Sequence, residues 1–415
     1  MGTSKECISN ILCSLLSQVN PKSLEGKNGE WYNIAPLGKL LKEKGIEYKG
    51  KLKDYLSDID GIEFYVDQNQ TIPITYIQLT SESIDGQSFL ENKKGNQRSF
   101  ARNALFNWAF FKDYSDTIKQ LKEKALQETW NFEYEKEGNY SILDSYLRYT
   151  FYRVQNEKKI VETKDGKWAL FNTGLVNNTY LPIYALFEKN RIPNKQSWYF
   201  NSFIAKGEKS KAGKISIVNF PKTPQRAQYF HDANELLYIV SENSNELFPN
   251  YEHIITDNVE RLPLALLRDL VSKDIEEKKQ RKDFSSIEEY DEYSKKYVID
   301  LQEKISQGNV ARKLQERFRS AIDVTRNRVL WNYKTAIPTY YPKSDSITLL
   351  LPLCLVDEEK VDLALVVSKG EGGYLAETIY PLDWAYKCAR LICRPDSDWL
   401  TPSTITISNT EEDND

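Results

Sequence analysis

"SITLLLPLCLVDEEKVDLALVVSKGEGGYLAETIYPLDWAYKCARLIC", residues 346–393, decides the fold. Three apolar runs, "SITLLLPLCLV", "DLALVVSK" and "GYLAETIY", follow one another across short polar breaks. Runs of this length, rich in Leu, Val, Ile and Tyr, read as strands, and short breaks make consecutive strands antiparallel neighbours. "PLDWAYKCARLIC" then reads as a helix that closes the domain. The expectation is that these strands return to a sheet begun earlier in the chain.

That earlier sheet is read from "KWALFNTG", "YLPIYALFEK", "WYFNSFI", "ISIVNF" and "ELLYIV". Two helices precede it. "SDTIKQLKEKALQETW" (115–130) sets Ile118, Leu121, Ala125 and Leu126 on one face. "SILDSYLRYTFYRVQNEKKI" (141–160) repeats the pattern, with Ser141 placed as an N-cap. A helical stretch over roughly 264–334 interrupts the strands. No repeat period is visible. Strands joined by short turns with helices packed on them define an α+β domain with a mostly antiparallel or mixed sheet.

The 415 residues suit roughly two to three domains. With 40% hydrophobic and 28% charged residues the composition is that of a folded globular chain. No apolar run approaches the roughly 18 residues that span a bilayer, and "MGTSKECISNILCSLLSQV" reads as an amphipathic helix rather than an export signal. A cytoplasmic protein with no membrane association is expected. The five cysteines (Cys7, Cys13, Cys354, Cys388, Cys393) form no CxxC pair, and only two histidines are present. A disulfide framework and a zinc site are therefore not expected, and Cys388 and Cys393 read as core residues. The net charge of −4 argues against a general nucleic-acid coat, so a polyanion would need a local basic face.

Toward the N-terminus, "EWYNIAPLGKLLKEKGIEYKGKLKDYLSDIDGIEFYVDQNQTIPITYIQL" reads as helices at 34–46 and 50–57 after a first at 6–19. Strands near 61–67 and 72–79 follow. Three helices and a hairpin make a winged helix-turn-helix. Residues 5–80 resemble the LOTUS (OST-HTH) domain. The resemblance implies an RNA-binding or partner-binding module, with Lys42, Lys44, Lys51 and Lys53 facing phosphate. Glu43, Glu47 and Asp54 interleave with these lysines. The expected organisation is a winged helix over 1–80, a polar linker over 81–100, an α+β domain over 101–400 and an acidic tail over 401–415.

The large region resembles a bacterial family known as a domain of unknown function that often accompanies a LOTUS domain. "FNTGLVNNTYLPIYALF" (171–187), "NYEHIITDNVERLP" (250–263), "ITLLLPLCLV" (347–356) and "YLAETIYPLDWAYKCARLICRPDSDWL" (374–400) carry the resemblance. It implies an architecture and a candidate cleft, and no reaction.

Asn172, Thr173 and Gly174 end an apolar strand; they read as a turn or as amides facing a phosphate or base. Neither GxxxxGK[ST] nor GxGxxG occurs, which excludes the common phosphate-cradling loops. Arg226 and His231 lie in a loop before an expected strand, where Arg226 can clamp a phosphate and Asp232 can cap a turn. His253, read on a strand at 252–256, is a candidate base or ligand contact, with Asn258 and Arg261 beside it as donors. The other histidine is 22 positions away. Arg390 on the closing helix completes the candidate ligand set.

The strongest electrostatic signal is "NVARKLQERFRSAIDVTRNRVLWNYK" (309–334). Arg312, Arg319 and Arg326 are seven apart, and Leu314, Phe318, Ile322 and Leu330 are the expected buried face. It reads as a solvated face or as a phosphate-tracking helix leading to Tyr333, Tyr340 and Tyr341. The expectation is an RNA-binding protein with an arginine-bearing RNA or nucleotide cleft. The alternatives are a nuclease or nucleotide hydrolase using His253, and a scaffold that grips a protein through the LOTUS-like part. The sequence points to no cofactor.

Overall fold

The structure is a computed structural model. It describes residues 31–34, 52–53, 62–67, 74–79 and 101–405, apart from 137, 193–194, 240–246, 342–345 and 371–372. The chain divides into two compact units, Met1–Arg98 and Ser99–Asn414.

In the first unit, β1 (Tyr32–Asn33), β2 (Ile62–Asp67) and β3 (Ile74–Leu79) form an antiparallel sheet in the order β1-β3-β2. The expected hairpin is present as β2 and β3. Trp31 is buried and meets Tyr65 edge-on. Lys53 is exposed, 5.9 Å from the centre of the Phe64 ring. The expected helices lie outside the described residues except at 52–53, as do Lys42, Lys44, Lys51 and the linker.

The second unit opens with a helical segment at 101–108 and a short strand, β4 (Ala109–Phe110). Helices α1 (Tyr114–Lys124) and α2 (Ser141–Asn156) follow. Asp113 caps α1 by accepting from the Asp116 N–H. The helix stops six residues before the expected end because the Leu126 N–H is captured by the Val176 carbonyl at 2.7 Å. Ser141 is the first helical residue of α2, not its cap, and no side chain caps that end.

Strands β5 (Val161–Glu162), β6 (Trp168–Val176), β7 (Pro182–Lys189) and β8 (Trp198–Ala205) make an antiparallel meander, and β4 adds parallel to β8. Both faces of this sheet are covered. Phe171, Ala185 and Phe187 face α2, whereas Leu170, Tyr184, Leu186 and Ile204 face α3 (Lys211–Asn219). "ISIVNF", expected as a strand, is thus mostly helix. Ser210 caps it through the Gly213 N–H, Ile215 and Phe220 pack under the sheet, and tertiary packing overrides the β-branched run. "ELLYIV" is not a strand in its described part either. Asp232 and Glu235 form a capping box on a 3-10 turn at Ala233–Leu236, and Tyr238 then stacks on Tyr374.

The last strands do not return to this sheet; they build a second one. β9 (Leu247–Pro249) comes first, followed by α4 (Leu264–Leu270), α5 (Ile287–Ser306) and α6 (Val310–Trp331). Then come β10 (Ile337–Tyr341), β11 (Ser346–Leu353), β12 (Leu363–Lys369), β13 (Tyr374–Tyr380) and α7 (Leu382–Ile392). The sheet order is β10-β11-β12-β13-β9, with β9 parallel to β13. This repeats the topology of the first sheet, β5-β6-β7-β8-β4, without any visible sequence period. Period-two alternation places Leu349, Leu351, Leu353, Leu365 and Val367 against α4–α6 and places Leu350, Ala364 and Val366 in the core shared with α2 and α7. The unit is α+β, with two mixed, largely antiparallel sheets.

Candidate functional site

His253 does not lie on a strand. Glu252–Asp257 is a π-helical segment, in which Ile254 and Ile255 are buried and His253 faces outward. The coil brings His253 Nδ1 to 2.9 Å from Asp257 Oδ2, a pairing that a strand would not make. Asn258, buried, ends the segment by donating through Nδ2 to the His253 carbonyl at 2.7 Å. His231 contacts Gln228 and Glu235 instead, so no described contact joins the two histidines.

Arg261 is buried. Its Nη1 donates to Thr378 Oγ1 and to the Ile379 carbonyl, each at 3.1 Å, and its guanidinium lies 5.2 Å from the centre of the Trp384 ring. It also lines a cavity of about 310 Å³ together with Glu260, Lys278 and Pro381. His253, Asn172, Arg226 and Arg390 do not line that cavity.

Asn172 sits at the β6 bulge, where Gly174 adopts φ +76°. Its Oδ1 accepts from the Gly174 N–H and its Nδ2 donates to the Pro224 carbonyl. Asn172 thereby pins the 220–231 strap to the sheet. The strap is held again where Lys159 donates to the Arg226 carbonyl, Arg153 to the Gln228 carbonyl, and Thr150 pairs with Tyr229. Arg226 and His231 are exposed on it.

Arg390 is 9% exposed and makes a two-point contact with Glu128, Nε to Oε1 at 2.5 Å and Nη2 to Oε2 at 2.8 Å. Its guanidinium centre lies 4.7 Å and 4.8 Å from the ring centres of Trp130 and Tyr146. Burial alone would weaken its hold on the proton; its hydrogen bond to Glu128 and the electrostatic effect of Tyr146 and Glu128 outweigh that and raise its pKa. The six residues expected to form one ligand cleft are therefore dispersed. Asn172, Asn258, Arg261 and Arg390 are engaged inside the protein, and Arg226 and His231 are on a separate loop.

The basic helix α6 is different. Leu314, Phe318, Ala321, Ile322, Thr325 and Val329 are buried, and Arg312, Lys313, Arg317 and Arg319 are exposed. Only Arg312 of these four has an ion pair among the described residues, with Glu316 at 3.3 Å. Arg326 is half-buried and acts on Tyr238, because a seven-residue step drifts about 20° per repeat around a straight helix. Leu330, expected on the buried face, is 51% exposed, and the buried stripe continues through Val329 instead. Arg328 ties the helix to the following loop through Cys354 Sγ and the Glu358 carbonyl. Tyr340 is buried against Tyr229 and Arg153, so it presents no free ring face, while Tyr333 is 61% exposed.

Trp331 and Lys278 were missed by the sequence reading. Trp331 ends α6 at 92% exposure. Its helical position, eighteen residues from Lys313, places both on one side of the helix, about 27 Å apart. Lys278 is 4% exposed and pairs with Glu260. No pattern in "DIEEKKQRKD" marks one lysine of the run as buried. Cys388 is half-buried and Cys393 is exposed, so neither is a fully buried core residue. Among the described residues no cluster of His, Cys, Asp and Glu is arranged to hold a metal, and no helix is long and apolar enough to cross a membrane.

These features define a two-sheet α+β domain whose selected polar residues are largely internal and whose basic helix faces solvent. Residues 121–399 match the model of DUF3825, a domain of unknown function. The match covers more than half of the 415 residues, and the chain belongs to this family. It does not extend over residues 5–80, and no LOTUS model matches there. No curated protein and no solved structure matches the chain.

Proposed function

We propose that this is an RNA-binding protein that contacts its ligand along the solvent face of α6. The observation that carries the reading is the combination on one helix of Arg312, Lys313, Arg317 and Arg319 with Trp331 at 92% exposure. Four cations against Glu316 and Asp323 leave this face at +2, on a chain whose net charge is −4. Cations bind phosphates by releasing counterions, and an exposed indole offers a stacking surface for an unpaired base. The LOTUS-like N-terminal part, with Lys53 exposed, fits the same reading as a second RNA- or partner-binding module.

The test is a salt titration of binding to a fluorescent single-stranded RNA. Replacing Lys313, Arg317 and Arg319 with glutamine is expected to reduce the magnitude of the log–log salt slope by about 2, at roughly 0.7 per phosphate contact. Trp331→Ala is expected to weaken binding by about 1–3 kcal/mol without changing the slope. Binding and slope unchanged in both variants would return α6 to a solvated face.

A second reading is favoured by one contact. The His253–Asp257 hydrogen bond at 2.9 Å orients an imidazole that is 44% exposed, as a phosphodiester or nucleotide hydrolase using His253 as a base would require. His253→Asn should then abolish turnover and spare binding. An RNA-binding protein with no turnover in the wild type excludes this reading.

A further inference from the structure

The stretch "KGEKSKAGKISIVNFPK", residues 206–222, runs through the turn after β8, α3 and the start of the strap, and the RNA reading does not use it. Lys206, Lys209, Lys211, Lys214 and Lys222 are all exposed, and none has an ion pair among the described residues. Glu208, the carboxylate of the stretch, is engaged by Lys124 at 2.6 Å and by the Ala205 N–H. Glu123 on α1 borders the face across a cleft shared with Ser210 and Ala212. Counting Glu123, four positive charges remain in excess, on a chain whose net charge is −4.

Two of these lysines stand where a helix disfavours them. Lys209 and Lys211 flank Ser210, the N-cap of α3, and the first turn has no acidic residue. Cations at the positive end of a helix are repelled by its dipole. The backbone fixes them there: a side chain on Gly213 would collide with the Glu208 carbonyl, so turn and helix are seated tightly on each other.

Apolar side chains share the face. Lys211, Lys214 and Val218 stand at i, i+3 and i+7, and Ile217 follows Lys214 by three residues, while Ala212 and Ile215 turn toward β6–β8. Ile217 is 64% and Val218 79% exposed. Beside Lys206, whose N–H donates to the Pro182 carbonyl at 3.3 Å, the β6–β7 turn exposes Tyr180 and Leu181. Tyr180 is held at φ +58°, where a side chain is disfavoured, in a turn whose Asn177 Oδ1 accepts from the Thr179 and Leu181 N–H groups.

We propose that this face docks on an anionic lipid bilayer, with the lysines among the headgroup phosphates and Ile217 and Val218 at the acyl boundary. Basic residues and exposed apolar residues on one helix face are the two signals that together hold a protein at a membrane surface. Lipid is favoured over RNA by the side chains present. The stretch has no arginine to fork onto a phosphate, and Ile217 and Val218 cannot stack on a base, whereas hydrocarbon accepts them. Tyrosine, as at position 180, suits a membrane–water interface. Such docking needs no spanning helix, and it replaces the expectation of a protein with no membrane association. It is independent of the α6 surface.

The experiment is co-sedimentation of the full chain at low salt with vesicles of equal parts phosphatidylglycerol and phosphatidylcholine, and with vesicles of phosphatidylcholine alone. Binding to the first and not the second is expected. Lys209→Gln, Lys211→Gln and Lys214→Gln together should weaken it about a hundredfold, at roughly fivefold per lysine. Ile217→Ser with Val218→Ser should weaken it about tenfold or more with the salt dependence kept. Melting temperatures near that of the wild type establish that both variants fold. No sedimentation with the anionic vesicles, equal sedimentation with phosphatidylcholine alone, or undiminished binding by either folded variant would overturn the proposal. So would loss of single-stranded RNA affinity in the lysine variant, which would make the face a nucleic-acid contact. If the Ile217 and Val218 variant does not fold, the two vesicle compositions and the lysine variant decide.

Discussion

Removing Arg390 should cost the protein several kcal/mol, and the cost should be recoverable. Arg390 on α7 and Glu128, 262 positions earlier, tie the last helix to the connection between α1 and α2. Each side chain is 10% exposed. Arg390→Leu leaves the Glu128 carboxylate buried without its two donors, and breaking a buried pair from one side costs about 3–5 kcal/mol. The lost contacts with the Trp130 and Tyr146 rings add about 1 kcal/mol. Replacing both partners, Glu128→Leu with Arg390→Leu, removes the stranded charge and should return most of the loss. Chemical denaturation of the wild type, both single variants and the double variant gives the coupling energy directly. A useful contrast is Lys334–Asp396, an exposed pair at 3.4 Å, where Lys334→Ala should cost no more than about 1 kcal/mol. The reasoning fails if Arg390→Leu costs less than the exposed variant, or if the double variant is as unstable as the two singles summed.

Two further outcomes are expected. Gly174→Ala should destabilise the domain by about 1–3 kcal/mol in the same denaturation assay, because φ +76° disfavours a side chain and the added Cβ would stand 2.5 Å from the Tyr146 hydroxyl. At Glu208, partial burial alone would raise the carboxyl pKa, but hydrogen bonds from Lys124 and the Ala205 N–H outweigh it and hold the group below its usual 4.5. A depressed folded-state pKa stabilises above the unfolded value and loses that contribution as pH falls, so the melting-temperature deficit of Glu208→Gln should be present at neutral pH and shrink as pH drops below 4.5. A deficit that grows on acidification would contradict the sign.

The elements that were legible in the sequence are those with one dominant period. β11 and β12 are apolar enough that both faces are buried, β13 alternates buried with exposed residues over Tyr374–Glu377, and α2 and α6 carry clear apolar stripes. Each came out where the pattern put it. The misassigned segments were decided by contacts from elsewhere in the chain. "ISIV" has strand propensity, yet the Ser210 cap and the space beneath β6–β8 make it helical. Residues 252–256 are expected as a strand, yet Asn250 accepts from the His253 N–H and Asn258 closes the coil, so the chain winds instead. The repeated sheet topology left no sequence period because its two copies bury different side chains at equivalent strands, aromatic in β6–β8 and aliphatic in β11–β12.

The same logic explains why the expected cleft dissolved while the basic helix remained. Asn172, Asn258, Arg261 and Arg390 were selected because each is a polar residue among apolar ones. That context means burial, and a buried polar group must be satisfied by its surroundings, as all four are engaged here by backbone or side-chain partners. A contact surface has the opposite signature: its residues are exposed along with their neighbours, and their charges are not consumed internally. Lys313, Arg317 and Arg319 meet that condition, with no ion pair among the described residues. Trp331 sharpens it. An indole is among the largest apolar surfaces a side chain can carry, and leaving it 92% exposed forgoes the burial that Trp384, at 4%, obtains on α7. The exposed indole on the same helix as the unpaired cations is therefore where a ligand that spans the helix has the most to gain by binding, and Trp331→Ala is the variant that separates a binding face from a merely solvated one.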